Sequence, residues 1–438
     1  MKKIGLWSRA EQAAEQTPAD RNRYVDLLRA LSISAVVLGH WIMAAPYIQE
    51  GSPQMEHLLD IQPWSRWLTW VFQVMPVFFF VGGFSNGVSW DGLQKRNGSY
   101  ASWLESRLRR LLGPVIPLVI LWAALAIGAN FFGVHSDMIR IGSQVALVPI
   151  WFLAIYLFIV ILVPWTRRAW HTYGYTSVIV PAVLAILGDW MFFNTNLQWL
   201  GWLNYFFIWG AIHQLGYAWQ AGRLGGVPSS LALAILGGIV LVALTVFGPY
   251  PLSLVGVPSQ EISNTTPPKL PLMALGLTQI GLLLSLEGPM RRLLSGSRTW
   301  TATVLVNGLI MPVYLWHSTA MILLIGAMFL LLPGVLVAPP GTELWWSLRP
   351  LWVTVYFIVM LVFLPVFIWL EKIAGGSVRQ QTPTPVLLVG AFAICFGLAM
   401  LAVLGIAGPG PLGLNWLAVL LPVAGAVLIS LVGRPAQA

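Results

Sequence analysis

A chain of 438 residues that is 58% hydrophobic and only 9% charged, with mean hydropathy +0.78, is not a soluble globular protein, since such domains carry roughly a quarter charged residues. The net charge of +9 would suit nucleic acid, but in so apolar a chain it suits the cytoplasmic loops of a membrane protein, and no nucleic-acid motif accompanies it. A single cysteine, Cys395, excludes an intrachain disulfide and any cysteine-built metal site.

Residues 1–23 are polar and contain no apolar core of signal-peptide length, so no cleavable signal is expected. Apolar runs near 20 residues then follow, separated by polar or Pro/Gly-rich loops. They predict spans at about 25–45, 66–89, 111–133, 145–165, 175–193, 198–219, 228–248, 270–289, 304–332, 347–370, 386–407 and 413–433. With the N-terminus inside, nineteen Lys and Arg fall in inside segments, and only Arg140 and Lys269 fall in outside loops. Arg29, Arg66 and Arg349 lie within or at the edges of spans. This asymmetry sets the orientation, because cytoplasmic loops carry the excess of positive charge. The expected fold class is therefore all-α, a polytopic transmembrane helical bundle with both termini cytoplasmic. Its layout is a cytoplasmic segment at 1–24, a transmembrane domain at 25–372, a linker at 373–385 and a transmembrane hairpin at 386–438. The last two spans are nearly devoid of polar residues and read as an appendage to a ten-span core. The longest outside loop, about 249–269, is rich in Pro and is expected to be irregular.

The first span, YVDLLRALSISAVVLGHWIM (24–43), contains Arg29 and His40. Charges at bilayer depth cost a few kcal/mol even on lenient scales, so ionisable residues there are candidate functional groups. Eleven residues are about three helical turns, which puts Arg29 and His40 on one face, roughly 16 Å apart along the axis. An imidazole can take a proton from an attacking hydroxyl; its bland alternative is a hydrogen bond to a neighbouring helix. For Arg29 the alternative is an ion pair with Asp26, three residues earlier.

Further along, SRLRRLLGP places Arg107 and Arg110 three apart, suited to phosphate or simply to anchoring at the cytoplasmic surface. In MPVFFFVGGF, Pro76 can kink the second span, and Gly82 and Gly83 permit close packing. Trp151 and Tyr156 could line a pocket or mark an interface. His317 lies beside Tyr314 and Asn307 near the middle of span nine, as a site member or a helix-packing residue. His213, Asp189 and Glu287 read as structural partners. There is no metal-ligand cluster, no phosphate-binding Gly-rich loop and no GxSxG.

These pieces resemble the membrane-bound acyltransferase family 3, bacterial O-acyltransferases of cell-envelope carbohydrates and lipids. The resemblance is carried by Arg29, ten residues and His40, preceded by Asp26. It is supported in order by FFFVGGF (78–84), Arg107-x-x-Arg110 with Pro114, the W-F-L of 151–153, and Tyr314-Leu315-x-His317. Two departures stand out: Gly82 occupies a place where many members have Ser, and W-F-L-A-I-Y has no acid where many carry Ser-x-Glu-Glu. A fused extracytoplasmic hydrolase-like domain is also missing, and two apolar spans stand in its place.

The resemblance implies a multi-pass protein of the bacterial cytoplasmic membrane that uses acyl-CoA, with acetyl-CoA the expected donor, and a carbohydrate or lipid hydroxyl as acceptor. It implies no bound cofactor. His40 takes the catalytic position, with Arg29 and His317 beside it, and Arg29, Arg107, Arg110, Trp151 and Tyr314 handle the donor. The competing readings are a twelve-span secondary transporter or flippase, and a structural scaffold. No similarity between spans 1–6 and 7–12 supports a transporter, and a scaffold gives no reason for Arg29 and His40.

Overall fold

The computed structural model describes residues 5–374, 380–432 and 434–435, and is 78% helical. A short helix α1 (Leu6–Glu15) precedes α2 (Arg23–Met43). The strands β1 (Ala44–Gln49) and β2 (Ser52–His57) then pair as a hairpin. The single-turn helices α3 (Leu58–Ile61) and α4 (Thr69–Phe72) flank a 3₁₀ turn at Pro63–Leu68, and α5 (Met75–Lys95) starts just before Pro76. Next come α6 (Tyr100–Leu112), α7 (Val115–Phe131), α8 (Ser136–Ile161), α9 (Val163–Tyr173) and α10 (Thr176–Asn194). After a 3₁₀ turn at Gln198–Leu203 follow α11 (Asn204–Gln220), α12 (Val227–Val242), α13 (Leu270–Ser285) and α14 (Glu287–Leu293). The chain closes with α15 (Ser297–Leu331), α16 (Glu343–Ala374), α17 (Thr384–Leu404) and α18 (Trp416–Val432); β3 (Gln380–Gln381) pairs with β4 (Arg434–Pro435).

Each of the twelve predicted stretches contains a helix. Among the described residues, nine helical stretches are long and apolar enough to cross a membrane. The pair α13–α14, bent by 53°, makes a tenth candidate. The protein is thus a multi-pass, almost purely helical membrane protein. The hairpin at 44–57 is a feature that the apolar pattern did not announce.

The chain divides into two compact units. The first comprises residues 1–45, 55–89 and 165–310. Here α5 and α11 touch backbone to backbone. A Cβ at Gly83 would stand 1.8 Å from the His213 carbonyl oxygen, and one at Gly216 would stand 2.1 Å from that of Phe80. Only glycine permits this approach. Around it, Trp219 stacks on Phe80 (5.1 Å between ring centres), meets Phe84 (4.6 Å) and forms a T-shaped pair with Tyr24 of α2 (6.1 Å). The FFFVGGF motif is therefore a packing seam, the close-packing role the sequence suggested. The loop 249–269 is irregular, as expected, but firmly held. Asn264 Nδ2 donates to the carbonyls of Pro251 (2.7 Å) and Ser253 (2.8 Å), and Leu254 N donates to Thr69 Oγ1 (2.9 Å). Asp189 accepts hydrogen bonds from Asn204 Nδ2, Tyr250 Oη and Leu270 N at 2.8–2.9 Å, a structural partner as read.

The second unit comprises residues 46–54, 90–164 and 311–438. Trp122 Nε1 donates to Thr319 Oγ1 (3.0 Å), joining α7 to α15, and Trp316 stacks on Phe367 of α16 at 4.4 Å. The last two helices are built into this unit. Gln144 Nε2 donates to the carbonyl of Val403 (2.9 Å), Ile406 N donates to Ser143 Oγ (3.4 Å), and Thr382 N donates to the buried Glu105 (3.4 Å). α17 lies along α8, so the terminal hairpin is a packed member of its unit.

Candidate active site

Helix α2 begins at Asn22, whose Oδ1 accepts from Tyr24 N (3.1 Å) and Val25 N (3.4 Å), an N-cap that satisfies two of the four orphan amides. It ends at β1, where Ala44 N still bonds the His40 carbonyl. Leu31, Ser34 and Leu38 are exposed and form one stripe. At 100° per residue, Arg29 and His40 lie on the opposite face together with the buried Ile33 and Val36. The sequence expectation that Arg29 and His40 share a face is met by a continuous helix. Both side chains are half-buried, with Arg29 at 32% exposure. That combination, polar and inward yet reachable, is what separates this face from a lipid-facing one.

Asp26 is the ion-pair partner foreseen for Arg29, but the contact is long, 3.9 Å to Nη1. The carboxylate is taken more closely by Arg21, whose Nε and Nη2 donate at 2.6 and 3.0 Å. Asn307 Nδ2 of α15 donates to the Asp26 carbonyl (2.9 Å), which anchors the start of α2.

Arg107, Arg110, Trp151, Tyr314 and His317 all belong to the second unit. On α6, Arg107 lies over the Trp103 ring at 5.5 Å, and Arg110, one turn on, is exposed. Arg109 between them is bound to Glu105 at 2.9 and 3.1 Å, so the carboxylate of α6 is engaged by Arg109. Tyr314 Oη donates to the carbonyl of Pro149 inside α8 (2.9 Å). Phe152 links Trp151 (6.3 Å), Tyr156 (5.5 Å, stacked) and Tyr314 (5.9 Å, edge-on) into one aromatic cluster. His317 is fully buried. Its Nδ1 lies 2.7 Å from the Tyr314 carbonyl and its Nε2 lies 3.1 Å from Ser318 Oγ, so both ring nitrogens are engaged within α15.

Sequence reasoning brought out the helix faces and the W-F-L of 151–153 but not Arg21 or Trp103. Arg21 had a signal of sorts, since an arginine five residues ahead of an acid at a helix start can fold back onto it. Trp103 had none above the general abundance of aromatics.

The profile of a family described as an acyltransferase domain matches residues 22–372. The chain belongs to the membrane-bound acyltransferase family 3. It is an acyltransferase, and the matched region contains every site residue expected from the sequence. Comparison with curated proteins and with solved structures finds no match.

Proposed function

We propose that this acyltransferase moves an acetyl group from cytoplasmic acetyl-CoA to a hydroxyl of an extracytoplasmic carbohydrate or lipid in the bacterial envelope, with His40 as general base. In this reading the chain crosses the cytoplasmic membrane twelve times, both termini are cytoplasmic, and residues 25–372 form the transferase domain. The observation that carries it is the α2 face: a half-buried Arg29 and a half-buried His40, opposite an exposed stripe, in a chain of an acyltransferase family.

CoA is polyanionic, so its nucleotide end stays on the side where Lys and Arg concentrate. Arg107, Arg110 and Arg29 are the candidate donor-handling arginines, since guanidinium groups bind phosphate in bidentate fashion. Trp151 and Tyr314 line the donor path. The narrow pantetheine arm follows α2 for about 16 Å and presents the thioester near His40. The acceptor oxygen attacks the acyl carbon as His40 takes its proton, the C–S bond breaks, and the proton leaves with the CoA thiolate as CoA-SH. His317 remains the second candidate histidine, to be tested after His40.

The test is transfer of labelled acetyl from acetyl-CoA in membranes containing wild type or His40→Ala. Label entering an envelope carbohydrate or lipid fraction, and lost in the variant at equal folded protein, is the expected result. Equal labelling by both forms would remove His40 from the mechanism.

A further inference from the structure

We propose that the segment preceding the first span is part of the donor site, with Arg21 and Asp26 as positioning residues for Arg29. The inference rests on the donor-binding role of Arg29 given above. Asp26 is a buried carboxylate, 6% exposed, at the start of a membrane helix. A charge in such a place requires a partner, or its burial is strongly unfavourable. Two arginines are within reach, and the geometry distinguishes them. Arg21 makes a two-pronged contact at 2.6 and 3.0 Å, the charge-assisted arrangement that arginine forms best. Arg29 stands at 3.9 Å, beyond hydrogen-bonding distance. The three groups together carry one net positive charge, and each carboxylate oxygen already accepts a hydrogen bond from Arg21. Removing Arg21 would leave Arg29 as the remaining nearby cation of this trio, and its side chain would be drawn one turn back along α2 onto Asp26.

Arg21 is not on a loose tail. Ala10 and Ala14 of α1 are buried, and Trp300 Nε1 donates to the Ala14 carbonyl (3.3 Å) and to Thr17 Oγ1 (3.2 Å). Arg23 lies over the same Trp300 ring at 4.8 Å and donates to the Leu294 carbonyl (2.9 Å). Between these two anchors the backbone turns, with Arg21 N bonded to the Pro18 carbonyl at 3.1 Å. Asn307 fixes the Asp26 backbone from α15. The segment therefore delivers one guanidinium to one carboxylate, and that contact sets where the next arginine rests.

The experiment measures acetyl-CoA saturation kinetics of the full-length protein in proteoliposomes, with folded protein quantified for each variant. Arg29→Ala should raise the KM for acetyl-CoA about tenfold, the scale of one lost charge-assisted contact, with kcat within about twofold. Arg21→Ala should raise KM to a similar extent, also with little change in kcat. Arg21→Lys, which keeps the charge but loses the fork, should raise it by about threefold and supplies the readout if Arg21→Ala does not fold. The double variant Arg21→Ala/Asp26→Asn removes the carboxylate that would capture Arg29, so its KM should fall back towards wild type. A rise with Arg29→Ala but none with Arg21→Ala or Arg21→Lys would overturn the positioning role. So would a double variant whose KM stays as high as that of Arg21→Ala. An unchanged KM in Arg29→Ala would instead overturn the donor-site reading on which the inference rests.

Discussion

Two helices of the same unit each carry a histidine among apolar neighbours, and they use it in different ways. On α11, His213 is 1% exposed, bonded to Asn86 at 3.1 Å, and shielded by the glycine seam that brings α5 against its own backbone. On α2, His40 and Arg29 remain half-buried on a face turned away from the exposed stripe. The difference teaches that helical period alone does not decide how deeply a membrane-helix histidine is packed: the neighbours do. Where packing closes over it, the residue serves as a polar rivet. His317 of α15 is also buried, with both ring nitrogens near groups of its own helix.

The comparison can be broken most severely at the seam. Gly83→Val or Gly216→Val places side-chain atoms where another backbone already stands, so the cost should exceed the about 1–3 kcal/mol of ordinary overpacking. Loss of monodisperse protein on size exclusion is expected, and a normal yield would show that the seam is not tight. Asn86→Leu should lower stability by about 1–3 kcal/mol, because His213 is left without its partner, while turnover per folded molecule stays unchanged. Thermal unfolding and labelled transfer measured together check this; lost turnover at unchanged stability would make α11 a second functional region. Arg110→Ala should raise the KM for acetyl-CoA by about tenfold. Arg109→Ala should instead lower stability, because it leaves the buried Glu105 without its cation.

A pH-dependent effect is expected beside the loop. Burial lowers the Lys269 pKa from 10.5 to about 8, although Asp189 nearby opposes the shift. The unfolded chain then binds more protons than the folded one between about pH 8 and 10.5, so this group makes stability rise with pH across that window. Lys269→Met should flatten the rise, as read by thermal midpoints over the same range. An unaltered slope would place the titration elsewhere.

Much of the fold was legible because apolar length is a strong signal. The helix expected at 25–45 is Arg23–Met43, and that expected at 386–407 is Thr384–Leu404. The Arg29–His40 face was legible because helical period alone determines it. What depends on neighbours was hidden. The bend after Ser285 falls where Tyr24 Oη donates to the Leu283 carbonyl at 2.6 Å. The terminal hairpin looked like an appendage because apolar residues do not reveal their partners, yet polar contacts from Ser143, Gln144 and Glu105 bind it into the second unit. Helix spacing offers Asp26 as an alternative partner for Arg29. The closer claim of Arg21 comes from a chain reversal that no periodicity encodes.

The most direct measurement compares three histidines in one labelled-acetyl transfer assay, normalised to folded protein: His40→Ala, His213→Ala and His317→Ala. Loss of a general base removes about 10²–10⁴-fold of rate. The account predicts a drop of that size for His40→Ala, with far smaller changes per folded molecule in the other two. Full activity in His40→Ala, or an equal collapse in His213→Ala at unchanged folded yield, would contradict it.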